Sequence, residues 1–296
     1  MGITPLGPSR AKLLLAFATI YILWGSTYLA IRVAIDTVPP LLMAGTRFLA
    51  AGAVLSAIAI RTGGPRPTAR QWRNAAVGGV PLIVLGNGGV VWAEQTVPSG
   101  PTALVIGTLA LWLLLLDWGY GGRTTPRTSE VVGIGLGLTG VAVLSAPGGI
   151  DPVGTGILLG AAIAWASGSL FNRYADLPAS PLRAAGMQML VGGAVLTGLG
   201  TITGEGGRLS ETVVSGTSGM AWMYLVAVAV VALPAYTWLL TVAPPAAVGT
   251  YAFVNPVVAV ALGWAVLGEP LGIRTGVAAG LVVCGVVLIV RSRRAA

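Results

Sequence analysis

Several positions in this chain set polar or aromatic groups one helical turn apart inside runs that are otherwise apolar. Tyr251 and Asn255 share a helical face, and Pro256 follows, removing a backbone donor and freeing the carbonyl of Ala252. Trp24 with Tyr28, Pro234 with Trp238, and Thr108 with Trp112 repeat the four-residue spacing, and Trp165 is followed on its own face by Ser169 and Asn172. Asn87 lies between Gly86 and Gly88, where other helices can approach closely, and Trp92 stands one turn past Gly88. Rings, amides and a freed carbonyl suit the holding of a flat or apolar molecule by burial and ring contact, not the making or breaking of bonds. Each group also has a plainer reading: a kink whose freed carbonyl a neighbouring helix satisfies, polar glue between helices, or tryptophan anchoring at an interface. Anchoring does not apply to Trp24 and Trp165, which lie mid-run, whereas Trp92 and Trp238 are nearer the ends of theirs.

The charged residues narrow the chemistry further. Histidine is absent, and the one cysteine, Cys284, sits in an apolar run and reads as a small core residue. The carboxylates fall at or beyond the ends of the apolar runs, so a nucleophile with a base, a metal-binding set or an acid pair is missing. This excludes an enzyme and a metal centre, no cofactor is implied, and the absence of a G-x-x-x-x-G-K loop disfavours direct ATP drive. Arg47 stands alone about 12 Å into its run at the helical rise. A charge there costs on the order of 3 kcal/mol, so it requires water, a helix-end carbonyl, Glu94 or the carboxylate of a ligand. Glu94, the acid nearest the mouth of a central cavity, is the expected coupling group if protons are coupled at all; its plainer reading, like that of Glu269, is a capped and solvated helix end.

The elements that carry these groups follow from composition. Of 296 residues, 55% are hydrophobic and 9% charged, and the mean hydropathy is +0.86. The usual charged share is about 25%, so a soluble domain is excluded. The apolar residues fall in blocks of about 20, the length that crosses some 30 Å of lipid as a helix. Ten all-α spans are expected, at 12–35, 39–60, 72–93, 98–120, 129–146, 154–174, 181–202, 219–241, 245–267 and 272–291, in one membrane domain. The first block reads as a span, being too long and too polar at its far end for a cleavable leader. With the N-terminus in the cytoplasm, 13 basic residues fall on that side and 3 on the other, the bias expected for two cytoplasmic termini. The net charge of +8 is thus a matter of topology, and nucleic acid is excluded as a partner.

The chain also repeats itself. A shift of 141 residues lays Trp24 on Trp165, Ser26 on Ser167 and Arg32 on Arg173, and matches seven of twelve residues between Ala44–Leu55 and Ala185–Leu196. A shift of 146 lays Trp92 on Trp238, Pro98 on Pro244 and Trp118 on Trp264. Two five-helix halves are expected, 12–146 and 154–291, and because five is odd the second must enter the membrane from the opposite face. Gly133 and Gly137, with Gly272, Gly276 and Gly280, read as helix contacts or as a dimer face, which leaves monomer and homodimer open.

The runs Leu23–Arg32 (LWGSTYLAIR), Thr46–Gly52 (TRFLAAG) and Thr250–Leu271 (TYAFVNPVVAVALGWAVLGEPL) resemble EamA-type members of the drug/metabolite transporter superfamily, along nearly the whole chain. The resemblance implies a ten-helix carrier in the bacterial inner membrane, exporting amino acids or related metabolites by alternating access. A channel-like facilitator is the alternative. Carried onto this chain, the motif residues are Trp24, Gly25, Arg47, Asn255, Pro256 and Glu269. The first half departs from the second, with Ala110 where Pro256 would align and Arg123 where Glu269 would. The expected cavity residues are Trp24, Tyr28, Asn87, Trp92, Trp112, Trp165, Trp238, Tyr251 and Asn255, with Pro234 and Pro256 as kinks.

Overall fold

The computed structural model describes residues 9–119, 127–243, 248 and 251–294, and of 240, 241, 252, 253, 290, 293 and 294 the backbone only. Among these residues ten principal helices occur: α1 (Arg10–Ala34), α2 (Pro40–Arg61), α3 (Ala69–Ala93), α4 (Ser99–Gly119), α5 (Thr128–Ser145), α6 (Pro152–Tyr174), α7 (Pro181–Ile202), α8 (Gly216–Val242), α9 (Tyr251–Leu267) and α10 (Ile273–Arg294). By length and composition α1 to α8 can each cross a membrane, and α9 and α10 hold shorter apolar runs, Val254–Leu267 and Ile273–Ile289. No strand occurs among the described residues. Residues 245–247, 249 and 250 of the expected ninth span, and Arg123, lie outside them. The sequence did not suggest the short helix Glu205–Glu211 that follows α7.

Local chemistry sets the helix starts. Proline occupies the first turn of α2, α6 and α7, where its missing N–H costs nothing. Thr68 and Gln71 form a reciprocal capping box at α3. Asp151 caps α6 through the N–H groups of Val153 (3.1 Å) and Gly154 (2.9 Å) and accepts from Thr96 Oγ1 (2.9 Å). These bonds, led by that from Gly154, favour the charged carboxylate and hold its pKa below the ordinary value.

Packing relates the halves. α2 lies along α7 and α5 along α10; α1 packs on α8 and α9, α6 on α3 and α4, and α4 meets α9. Exchanging α1–α5 for α6–α10 returns the same set of pairs. Gly45 faces Thr197, Leu49 faces Gly193, and Ser56 faces Gly186, so α2 and α7, equivalent helices, run antiparallel. Gly133 against Gly285 and Gly140 against Val282 set α5 and α10 the same way. Gly133 and Gly137 are therefore helix contacts, whereas a Cβ at Gly272, Gly276 or Gly280 would meet nothing within 4 Å. Cys284 is exposed on α10, contrary to its reading as a core residue: an apolar run facing outward need not be core. Large apolar side chains such as Leu14, Ile22 and Val257 are likewise exposed, as a lipid-facing surface requires.

Helix ends inside the bundle are satisfied across the chain by charges of the sign the helix dipole favours. Glu205 accepts from Leu41 N (3.3 Å) and Leu42 N (2.9 Å) at the start of α2. Arg183 donates to the carbonyls of Ala59 (2.8 Å), Gly63 (3.0 Å) and Pro65 at its end. Arg32 donates to the carbonyls of Glu94 (2.7 Å) and Gln95 (3.3 Å) beyond α3. Glu269 accepts from Ser99 N and Ser99 Oγ (both 2.8 Å) and Gly100 N (3.1 Å) at the start of α4. It is thus a cap for a helix 170 residues away, not a solvated end of its own.

Candidate functional site: a chamber between the halves

Two helices of the first half lose regular geometry midway. α3 carries a π-helical stretch, Val80–Asn87, that begins beside Pro81, and α4 breaks at Thr108, between Ser99–Gly107 and Leu109–Gly119. The equivalent helices of the second half carry internal prolines, Pro234 in α8 and Pro256 in α9. The four irregular helices surround a cavity of about 80 Å³, room for several water molecules.

Trp24 is the hub of its wall. The ring of Trp24 meets Trp165 edge to face (centroids 5.9 Å, 82°), Tyr236 at 5.0 Å and Tyr251 at 5.2 Å; Tyr236 and Tyr251 meet at 5.9 Å and 90°. Trp24 and Trp165 are repeat mates, so the contact joins the halves at corresponding positions. The rings approach because α1 and α9 pack closely at Gly25, where a Cβ would sit 2.7 Å from Val258 Cβ and 3.3 Å from the Asn255 carbonyl. With its amide nitrogen turned toward them, Asn255 donates to the carbonyls of Tyr21 (3.0 Å) and Tyr251 (3.3 Å).

Among the described residues one cation, Arg47, lines the chamber, and no carboxylate does. Arg47 Nη2 donates to Asn87 Oδ1 (3.1 Å), Asn87 Nδ2 donates to the Leu82 carbonyl (3.2 Å), and the guanidinium stands 4.5 Å from the Phe48 ring centre. The expected partner of Arg47, Glu94 or a helix-end carbonyl, is therefore replaced by the amide of Asn87, which the π stretch presents. Arg47 Nε and Trp165 Nε1 are buried and have no hydrogen-bond partner among the described residues. Gln188, the repeat mate of Arg47, is buried as well.

Of the residues expected at the cavity, Trp24, Tyr28, Asn87, Trp165, Tyr251 and Asn255 line it, with Arg47. Trp92, Trp112 and Trp238 do not. Trp92 is 43% exposed, because its face of α3 turns away from the halves' interface. Trp112 donates to Thr108 Oγ1 (3.3 Å) and braces the break in α4, and Trp238 packs half-buried against the core. Pro256 is buried beside Asn255. Glu94 lies outside the lining and is fully buried, contrary to the solvated reading. Tyr236 was missed; its only signal was a position two residues after Pro234 on a helix apolar all round.

An all-helical bundle of apolar spans enclosing a chamber is the architecture of a polytopic membrane protein that handles a small molecule. The EamA-like transporter family matches twice, over residues 11–146 and 153–291. The chain is 39% identical over 279 residues to the uncharacterized inner membrane transporter YedA of Escherichia coli K12, covering 93% of this chain and 89% of that one. It is 26% identical over 289 residues to the uncharacterized transporter YvbV of Bacillus subtilis 168, covering 96% and 90%. A protein solved by crystallography shares the fold, with TM-score 0.69 and 22% identity over 97% of this chain and 99% of that one. The chain belongs to the EamA-like transporter family and is a multi-pass protein of the bacterial inner membrane.

Proposed function

We propose that this protein is a secondary carrier exporting small metabolites, amino acids with aromatic or apolar side chains or closely related compounds, by alternating access. In this reading all ten principal helices cross the membrane, both termini are cytoplasmic, and the halves 12–146 and 154–291 are inserted in opposite orientation. Glu94, Ser99 and Glu269 then lie toward the outer face. What supports it is the antiparallel packing of equivalent helices and the chamber between the halves. The observation that carries it is the chamber's lining: a box of aromatic rings and, among the described residues, a single cation whose buried Nε–H has no partner, matched to an apolar body bearing a carboxylate. Tyr28, Asn87 and Asn255 supply the polar contacts, while Pro234, Pro256, the π stretch and Thr108 supply the bends.

The test is uptake of a panel of labelled amino acids into liposomes carrying the purified protein, repeated with Trp24→Ala and Asn255→Ala. Saturable counterflow of phenylalanine or leucine, lost in Trp24→Ala and weakened in Asn255→Ala, is the expected result. Normal transport by both variants overturns the chamber assignment, and flux without counterflow identifies a channel-like facilitator.

A further inference from the structure

The polar groups that the chamber wall leaves unspent include two donors. Arg47 is 3% exposed, its Nη2 donates to the Asn87 amide oxygen at 3.1 Å, and its Nε–H is buried with no hydrogen-bond partner among the described residues. Trp165 Nε1–H, on the same wall, is buried and unpartnered in the same way. On the acceptor side, Asn87 Oδ1 is taken by Arg47, and among the described residues no carboxylate lines the chamber or forms an ion pair with Arg47. Glu94, one turn beyond Val90 on α3, lies outside the lining, and neither of its oxygens has a hydrogen-bond partner among the described residues. A carboxyl group so buried keeps its proton, because its charge would be unsupported, and so it does not offset Arg47. The rings beside Arg47 offer no seat to a second cation either. The guanidinium already stands 4.5 Å from the Phe48 ring centre, and Trp24, Trp165, Tyr236 and Tyr251 pack against one another with centroids 5.0 to 5.9 Å apart.

We infer that the ligand this chamber prefers is a monoanionic carboxylate with an apolar body and no ammonium, a plain or 2-oxo carboxylic acid, held at its carboxylate by Arg47 and at a further oxygen by the N–H of Trp165. The inference rests on the chamber being the substrate site of the reading above, and it narrows the substrate class to compounds related to amino acids by loss of the amino group. Charge decides between the two. Unloaded, the chamber holds one fixed cation, which water in the chamber can solvate; loaded with a monoanion it is neutral, the state a low-dielectric interior favours. A zwitterion carries its ammonium on the carbon next to the carboxylate that Arg47 holds. The loaded chamber then keeps one uncompensated positive charge and sets two cations close together. Hydrogen bonding points the same way: a 2-oxo group only accepts, as the N–H of Trp165 requires, whereas an ammonium only donates. Amino acids are therefore the weaker ligands of the site.

The test titrates the protein in lipid nanodiscs, by tryptophan fluorescence at neutral pH, with ligands that share one apolar body: 4-methylpentanoate, 4-methyl-2-oxopentanoate, L-leucine, 4-methylpentanamide and 3-methylbutylamine. The carboxylate should bind about tenfold or more tighter than L-leucine and the amide, with the amine weakest. Arg47→Lys should keep that order, whereas Arg47→Gln should bring 4-methylpentanoate down to the level of the amide. Trp165→Phe, which removes the N–H and keeps an aromatic ring, should erase a roughly threefold advantage of the 2-oxo acid over the plain one; persistence of that advantage overturns the role of Trp165. L-leucine binding as tightly as 4-methylpentanoate, or a carboxylate affinity that survives Arg47→Gln, overturns the proposal. Should Arg47→Gln fail to fold, the order of ligands on the native protein still decides. Counterflow in liposomes separates this inference from the reading it rests on. Labelled L-leucine that exchanges with L-leucine but not with 4-methyl-2-oxopentanoate overturns the inference and leaves an amino-acid carrier standing. Neither binding nor exchange of any of the five removes the chamber as a substrate site, and both readings with it.

Discussion

Replacing Glu269 with Gln tests whether the two halves are latched at their outer end. The carboxylate holds three hydrogen bonds from the first turn of α4, at 2.8, 2.8 and 3.1 Å, although it belongs to the other half of the chain. Glutamine keeps one acceptor oxygen and no charge, so one bond is lost and the other two become neutral. At roughly 1 kcal/mol for the lost bond and about half that for each neutralised one, the contact weakens by about 2 kcal/mol. If opening toward the outer side requires this contact to break, its equilibrium shifts about 30-fold.

The shift can be read as accessibility. Val90 lines the chamber and is 5% exposed. In a Cys284→Ser background, which removes the one native thiol, Val90→Cys reports how often the chamber is open to a membrane-impermeant maleimide added outside. Glu269→Gln should raise the labelling rate about 30-fold wherever the resting open fraction is roughly a few tenths of a per cent or less. Ser99→Ala, which removes the hydroxyl but not the backbone donor, should give a smaller increase. Unchanged labelling in a Glu269→Gln protein that unfolds at the native temperature refutes the latch.

Two further expectations concern stability. A methyl at Gly45 would lie within 2.5 Å of the Thr197 backbone nitrogen, so Gly45→Ala must push α2 off α7 and should cost about 2–3 kcal/mol, measured by thermal unfolding in detergent. Asp151→Asn should preserve the cap of α6, whereas Asp151→Ala should lower the unfolding temperature. The charged carboxylate's contribution is present above its ordinary pKa and lost as pH falls through the lowered folded-state value, so the native protein and Asp151→Asn should diverge at neutral pH and converge in acid.

The spans were legible because hydrocarbon permits few solutions: each apolar block became a helix whose described ends, the start of α9 aside, lie within three residues of the expected ones. Trp24 and Trp165 were legible for a related reason, since mid-span amphipathic groups that recur in both halves have few uses other than the interface between them, and Asn255 was legible from its place one turn after Tyr251 and beside Pro256. What escaped depended on which way a face turns and on what covers a helix end. Trp92 has the spacing of a cavity residue but is rotated outward. Glu94, next to Gln95 and Thr96, reads as the polar end of a helix; its burial depends on what packs over that end, which its neighbours in the chain do not show. No residue type in the sequence announces the π stretch, which requires Pro81 and the amide of Asn87 to act over several positions together.

That stretch alters how the departure between the halves should be understood. Ala110 in place of a proline weakens any expectation that the two halves move alike. The first half instead bends the same two helices, α3 by its π turn and α4 at Thr108, where Pro234 bends α8 and Pro256 bends α9. A proline kink is fixed by covalent geometry, whereas a π turn and a threonine break are held by hydrogen bonds that can be exchanged. At the chamber those bonds run from Leu82 through Asn87 to Arg47, the cation to which the proposed ligand binds. A carboxylate drawing the guanidinium toward itself therefore pulls on the bond that steadies the π turn. In the second half the equivalent residue, Gln188, carries no charge, and Pro234 cannot be loosened. In the proposed carrier, ligand binding would thus act on the first half more than on the second.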